Sequence, residues 1–198
     1  MTRAVAIVDT GGANLASLCL ALERLGTRGL PTQDAAAIRA APRVVLPGVG
    51  SAADGMRRLR EHGLIDCIRS LMQPVLGICL GLQLLAEASE EEDVECLGVL
   101  PGVVHRLEPA PGLPVPNTGW CRVQPRRAHP LLDGLGGAPW FYFVHGYALA
   151  PTDDTVAVAQ HVVPFTAIAA RGNFTGTQFH PERSAAMGAK LLGNFLAL

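Results

Sequence analysis

The chain has 198 residues and nearly balanced charge, 16 Lys and Arg against 17 Asp and Glu, so nothing points to nucleic acid or an anionic surface. That length suits one domain spanning 1–198 with a full core, at most with an appended flap. Charged residues make up 17%, below the ~25% usual for soluble domains; an Ala- and Gly-rich composition and a surface covered by a permanent partner account for this equally well.

Met1-Thr2-Arg3 is followed by only five apolar residues before Asp9, too few for a signal peptide or a membrane span. The five cysteines (19, 67, 79, 96 and 121) show no C-x-x-C spacing and leave one unpaired, which argues for a reducing cytosol and against a disulfide framework or a zinc site. A cytoplasmic protein with no membrane contact, no metal and no cofactor is expected.

Residues 4–8 form a first buried strand ending at Asp9. Thr10-Gly11-Gly12-Ala13 follows as a turn. Asn14 then stands where it would cap a helix with apolar positions Leu15, Leu18, Cys19, Leu22 and Leu25, stopped by Gly26. The glycine loop has neither G-x-G-x-x-G nor a following Lys-Ser/Thr, so it lacks a phosphate-binding signature. Leu30-Pro31 is a weak strand, 34–41 a helix, and 44–46 a buried strand that delivers the loop Pro47-Gly48-Val49-Gly50. Ser51 with Asp54 opens a helix through Arg60 in the manner of a capping box. A helix over 64–72 buries Cys67, and 90–95 is an acidic, solvated loop. From Leu97 onward Pro and Gly are frequent and no helical period survives. The stretches 97–107, 120–124, 140–147, 155–160, 165–170 and 174–179 are predicted strands, several antiparallel, closed by a helix over 184–196.

The chemistry concentrates in 73–85. Gln73-Pro74 opens an apolar run, 75–78, that suits a strand buried on both faces, and a helical pattern (Leu80, Gln83, Leu84, Glu87) begins at once. Between them stands Cys79, with Gly77 and Gly81 two residues away on either side. That is the spacing of a nucleophile elbow, whose strand-to-helix turn is too tight for side chains at the flanking positions. The turn presents the sulfur at the carboxyl end of the sheet and leaves the Leu80 N–H free to receive an oxyanion. A lone cysteine is more often a small core hydrophobe, so a partner has to decide. His180 ends the strand pattern of 175–179, and Glu182 follows two residues later. Imidazole is the base that titrates nearest neutral pH, and a carboxylate holds its tautomer. His-Pro-Glu alone is usually a surface turn; with the elbow it completes a Cys79–His180–Glu182 triad. His145 is a rival base without an acid two residues on. His62, His105, His129 and His161 show no metal-ligand spacing.

Gly77-Ile78-Cys79-Leu80-Gly81-Leu82-Gln83 with Gln178-Phe179-His180-Pro181-Glu182 resembles the class I (triad) glutamine amidotransferases. Among these the chain most resembles the glutaminase subunits of imidazole glycerol phosphate synthase, of histidine biosynthesis. Asp9-Thr10-Gly11-Gly12-Ala13-Asn14-Leu15, Leu46-Pro47-Gly48-Val49-Gly50, Thr118-Gly119-Trp120 and Phe141-Tyr142-Phe143-Val144-His145-Gly146-Tyr147 extend the match in family order, so it covers essentially the whole chain.

The resemblance implies a three-layer, doubly wound α/β fold with a mixed, flavodoxin-like sheet and an antiparallel extension in the C-terminal half. It implies hydrolysis of glutamine through a thioester on Cys79, with oxyanion donors at Leu80 and in the loop of Gly48 and Val49. Gln83 and the strand end at Val144, Gly146 and Tyr147 would bind glutamine, a glycine there suiting close backbone approach. It further implies a heterodimer with a (β/α)8-barrel cyclase subunit that receives ammonia through a channel and produces imidazole glycerol phosphate and an aminoimidazole carboxamide ribotide. Asn14, Trp120 and Arg183 carry over as partner-face residues. The chain departs from the family pattern at Thr10 (an aromatic), Ala13 (a glycine), Asn117 (a histidine) and Arg183 (a lysine, alike in charge but not in geometry). The residues leave three other readings open: a glutaminase serving another synthase such as that of pyridoxal phosphate, a partner-independent peptidase or γ-glutamyl hydrolase, and a silent scaffold, which would usually have lost the Cys or the His.

Overall fold

The computed structural model describes residues 3–11 and 15–198. Gly12, Ala13 and Asn14, and with them the capping and partner-face roles expected of Asn14, lie outside the described residues. The chain opens with alternating strands and helices: β1 (Arg3–Val8), α1 (Leu15–Arg24), β2 (Thr27–Thr32), α2 (Ala35–Ala40), β3 (Val44–Gly48), α3 (Ala52–Glu61), α4 (Ile65–Arg69), β4 (Val75–Cys79) and α5 (Leu80–Leu85). Short strands follow: β5 (Ala88–Ser89), β6 (Val94–Glu95), β7 (Val103–Arg106), β8 (Asn117–Arg122), β9 (Gln124–Pro125), β10 (Trp140–His145) and β11 (Tyr147–Leu149). The chain then returns to the main sheet with β12 (Thr155–Gln160), β13 (Pro164–Arg171) and β14 (Phe174–Thr177), and closes with α6 (Ala185–Ala197).

The main sheet has eight strands in the order β2-β1-β3-β4-β14-β13-β12-β9. β2, β1, β3, β4 and β14 run parallel, and β13, β12 and β9 add an antiparallel edge. Side chains alternate across it as a pleated strand requires. Val5, Ile7, Val45 and Leu76 pack with Leu18 and Leu22 of α1 and Leu191 and Phe195 of α6. Ala6, Val8, Val44 and Leu46 face Ile38, Met56, Ile68 and Leu84 of the other helices. This is the expected three-layer arrangement with a mixed sheet. Phe141 and Phe179 stack at 3.9 Å between ring centroids inside it, and burying one such ring contributes ~1.5–3 kcal/mol.

Local signals explain several boundaries. Gly26, with φ +72°, ends α1, and the Ser51 hydroxyl accepts the Asp54 N–H at 3.3 Å to open α3. Elsewhere tertiary contacts override the pattern. The helix expected over 64–72 is only Ile65–Arg69, where Ser70 closes it by donating its hydroxyl to the Cys67 carbonyl. α5 stops after six residues, short of Glu87, because the N–H groups of Leu97, Val99 and Leu100 take the carbonyls of Leu84 and Leu85. That duty keeps 97–102 out of any strand, so the strand expected over 97–107 shrinks to β7. The acidic run is not a free loop: β5, just before it, pairs with β6 at its end, and Glu91 accepts the Ala52 N–H at 2.8 Å. The strand over 140–147 breaks at Gly146, leaving β10 on β8 and β11 on β7.

Candidate active site

The parallel register sets Gly48 beside Cys79 and Thr177 beside Ile78, so the carboxyl ends of β3, β4 and β14 converge. Cys79 turns the chain from β4 into α5 with φ +54° and ψ −109°, a conformation that costs a residue with a side chain on the order of 1–3 kcal/mol. The flanking glycines make the turn possible. A Cβ on Gly81 would run into the Leu46 carbonyl oxygen, and one on Gly77 would lie 2.7 Å from the Gly81 oxygen.

His180 is held from three sides. Its N–H donates to the Tyr142 carbonyl at 3.0 Å and its carbonyl accepts the Ser184 hydroxyl at 2.7 Å. Its Nδ1 lies 2.8 Å from Glu182 Oε1. Burial opposes a charge on this ring, but the Cys79 sulfur and the Glu182 carboxylate outweigh it and raise the pKa to about 10. Both neighbours favour the charged ring over the neutral one. Among the described residues no group closes a hydrogen bond on its buried Nε2, which leaves that N–H for a reacting atom.

A cavity of about 350 Å³ is lined by Cys79, His180 and Glu182 together with Gly48, Val49, Leu80, Gln83, Val144, Gly146 and Tyr147. The residues singled out in the sequence for catalysis, for the oxyanion and for glutamine thus line one cavity. A buried sulfur, an imidazole held by a carboxylate and the start of a helix beside them are the parts of an acyl-transfer centre.

The family model described as glutamine amidotransferase class-I matches residues 6–198. The chain belongs to this family. It is 54% identical over 194 residues to the imidazole glycerol phosphate synthase subunit HisH of Xanthomonas oryzae pv. oryzae (strain MAFF 311018), an alignment covering 98% of this chain and 97% of that protein. It is 49% identical to the subunit HisH 2 of Legionella pneumophila (strain Paris), covering 98% of each. Solved structures share the fold: a glutamine amidotransferase at TM-score 0.72 and 22% identity, covering 98% of this chain and 97% of that one; and PurLQS from Thermotoga maritima at TM-score 0.72 and 20% identity, covering 100% and 99%.

Within this amidotransferase the remaining cavity residues have distinct states. Gln83 spends its amide N–H groups on the Tyr147 carbonyl at 2.9 Å and on Gln178 Oε1 at 3.1 Å, so only its oxygen is left to meet a ligand. Gly146 is uncrowded: an added Cβ would meet only Val115 Cγ1, at an ordinary 3.7 Å. Any demand for glycine there arises from the ligand and not from the resting fold. His145, the rival base, is spent. Its Nδ1 donates to the Tyr147 carbonyl at 2.8 Å and its Nε2 accepts from the Asn117 amide at 3.1 Å. Burial pushes its pKa down to about 4, so it is neutral.

Two cavity neighbours escaped the sequence analysis. Glu91 lines the cavity and binds the first N–H of α3, directly after the Gly48-Val49-Gly50 loop; burial raises its pKa. Nothing in the run Glu90-Glu91-Glu92 distinguishes it. Gln178 sits in the quoted His180 motif, yet its contact with the sulfur depends on tertiary structure.

Beside the cavity mouth the ribbon of β8 and β10 presents an aromatic face. Trp120, 49% exposed, meets Tyr142 edge-on with ring centroids 6.2 Å apart, and the Arg183 guanidinium lies 4.8 Å above the Tyr142 ring. Arg183 and the exposed Val144 belong to both this face and the cavity lining. Among the described residues no group of three or more His, Cys, Asp or Glu is arranged to hold a metal ion, and no helix is long and apolar enough to cross a membrane.

Proposed function

We infer that this chain works as the glutaminase subunit of an imidazole glycerol phosphate synthase, splitting glutamine into glutamate and ammonia for histidine biosynthesis. The observation that carries the chemistry is the single cavity shared by Cys79, His180 and Glu182. The pairing with that synthase rests on the near full-length identity to HisH subunits.

The sulfur, as thiolate beside the His180 imidazolium, attacks the side-chain amide carbon of glutamine. The oxyanion that forms is received by the Leu80 N–H, at the start of α5, and by the loop of Gly48 and Val49; losing one such donor costs ~3–4 kcal/mol. His180 gives its Nε2 proton to the departing nitrogen, the C–N bond breaks, and ammonia leaves a γ-glutamyl thioester on Cys79. Water then attacks the thioester with His180 as base. Glutamate departs, and the proton taken from water returns His180 to its charged form beside the thiolate. Glu182 holds the ring throughout and stabilises its charge. The Gln83 oxygen and the Glu91 carboxylate are suited to the α-ammonium group of glutamine, and the backbone at Val144, Gly146 and Tyr147 to the rest of its amino-acid end.

Ammonia is handed to a cyclase subunit, for which a (β/α)8 barrel is the expected fold, docked over the aromatic face of Trp120, Tyr142 and Arg183. Two measurements test the proposal. A diazoketone glutamine analogue should label Cys79 and leave Cys79→Ala untouched; labelling that persists in the variant removes the mechanism. Glutamine turnover should be slow for the chain alone and rise when the cyclase and its nucleotide substrate are added. A full rate without them removes the partner.

A further inference from the structure

Beyond the triad, one buried amide touches the reacting sulfur. Gln178 is wholly buried, and its backbone N–H is fixed to the Ala167 carbonyl of β13 at 2.9 Å. Its Nε2 lies 3.8 Å from Cys79 Sγ. Its Oε1 accepts from Gln83 Nε2 at 3.1 Å, which decides the orientation of the amide: the oxygen is taken, so the NH2 end faces the sulfur. Gln83 is anchored in turn, because its other N–H goes to the Tyr147 carbonyl at 2.9 Å. A continuous series of hydrogen bonds therefore links the Tyr147 carbonyl, Gln83, Gln178 and the sulfur, with Gln83 donating to both of its neighbours and Gln178 donating to Cys79.

Apart from the His180 imidazole, the sulfur has few other partners. Cys79 is 7% exposed, so water offers it little. Its other polar neighbour along the backbone is the Val144 carbonyl at 3.9 Å, an acceptor that a thiol can use and a thiolate cannot. A donor on one side and an acceptor on the other make the two protonation states of the sulfur compete for different partners, and the donor favours the charged one.

We propose that Gln178 is a catalytic residue of this amidotransferase, donating an N–H to the Cys79 thiolate, and that Gln83 is the positioning residue that aims it. The proposal rests on Cys79 being the nucleophile of the inferred glutaminase. It deepens that reading by giving Gln83 a second duty toward the sulfur, beside its open oxygen toward the ligand. Because Gln83 also binds the Tyr147 carbonyl, a ligand that moves this strand end also moves the amide facing the sulfur.

The test is alkylation of Cys79 by iodoacetamide across neutral to alkaline pH, in the full chain and in Gln178→Met and Gln83→Met, with thermal melts to confirm folding. Gln178→Met keeps the length of the side chain and removes the donor. Its alkylation should be about tenfold slower at neutral pH, the scale of one hydrogen bond to a charged atom, and should recover in alkali, where thiolate forms unaided. Gln83→Met should lose less, in the same direction. An unchanged neutral rate in folded Gln178→Met overturns the proposal, as does a loss that alkali does not restore, since a packing defect would slow the reaction at every pH. Should Gln178→Met fail to fold, an unchanged neutral rate in Gln83→Met overturns it equally. Alkylation requires neither glutamine nor a partner. A wild-type chain that turns over no glutamine even with the cyclase and its nucleotide substrate would therefore sink the proposed function, whereas the alkylation profile alone judges Gln178.

Discussion

The Nδ1 atom of His180 lies 2.8 Å from Oε1 of Glu182, with both side chains only 8% exposed. The contact has two consequences, because the carboxylate fixes the proton on Nδ1 and favours the charged ring over the neutral one. Glu182→Gln keeps the shape and removes the charge, and an amide can present its NH2 to Nδ1 and reverse the tautomer. Turnover of glutamine should fall ~10²–10⁴-fold, the scale seen when a triad acid becomes an amide, with the melt little changed. The His180 pKa, about 10 in the parent, should drop, as read from the imidazole NMR shifts against pH. Turnover within a factor of a few of the parent would remove Glu182 from the triad.

The backbone of Cys79 leads to a second expectation. At φ +54° Cys79 occupies ground that glycine enters freely and alanine does not. Both Cys79→Ala and Cys79→Gly should abolish turnover by losing the sulfur. They should differ in stability, with the glycine variant the more stable by ~1 kcal/mol, the strain scale of such a residue. That ordering reverses the usual one, in which glycine is the weaker choice for entropic reasons. Denaturant midpoints of the pair decide it. An alanine variant as stable as the glycine variant would mean that the elbow holds no strain.

The sequence carried the elbow because its constraint is local. Gly77, Cys79 and Gly81 fall within five residues, and the close approach that requires glycine at 77 lies inside that strand-to-helix turn, whereas the one at 81 is to the Leu46 carbonyl of β3. His180 was legible for the same reason, its acid being two residues away. What stayed hidden depends on distant chain. The length of α5 is set by N–H groups of Leu97, Val99 and Leu100, and no propensity within 80–87 encodes that. Glu91 is one of a run of acids until β5 and β6 fold it onto the start of α3. Asn117 stood out only as a departure from the family pattern. The fold gives it a reason, since its amide occupies His145 Nε2 and keeps that imidazole from acting as a second base.

His145 also shapes the response to acid. Burial lowers its folded pKa to about 4, from an ordinary 6.5. Above the ordinary value both folded and unfolded chains hold it neutral, and it leaves stability unaffected. As pH falls from about 6.5 towards 4 the unfolded chain takes up the proton and the folded chain resists, so stability is lost through that window, by ~3 kcal/mol at full titration. Urea midpoints should therefore fall on acidification. The slope should flatten in His145→Gln, which can still donate to the Tyr147 carbonyl but cannot titrate. An equally steep acid limb in that variant would assign the loss to other groups.

Trp120 and Trp140 are 49% and 48% exposed on neighbouring strands, and large rings held half in water by a stiff two-stranded ribbon suit a docking anchor. The low share of charged residues in the chain agrees with a surface meant to be covered. Trp120 lies outside the cavity lining, so truncating it separates docking from chemistry. Trp120→Ala should leave the melt and the labelling of Cys79 by the glutamine analogue near the parent values. Its affinity for the cyclase should drop at least tenfold, or ~1.4–3 kcal/mol, as for a central aromatic contact. Titration calorimetry or a binding-rate measurement reads that change directly. Because Arg183 stacks on Tyr142, the ring that Trp120 meets, and also lines the cavity, stimulation of turnover by the cyclase should weaken along with binding and recover only in part at saturating partner. Undiminished affinity in Trp120→Ala would move the docking site away from the β8–β10 ribbon.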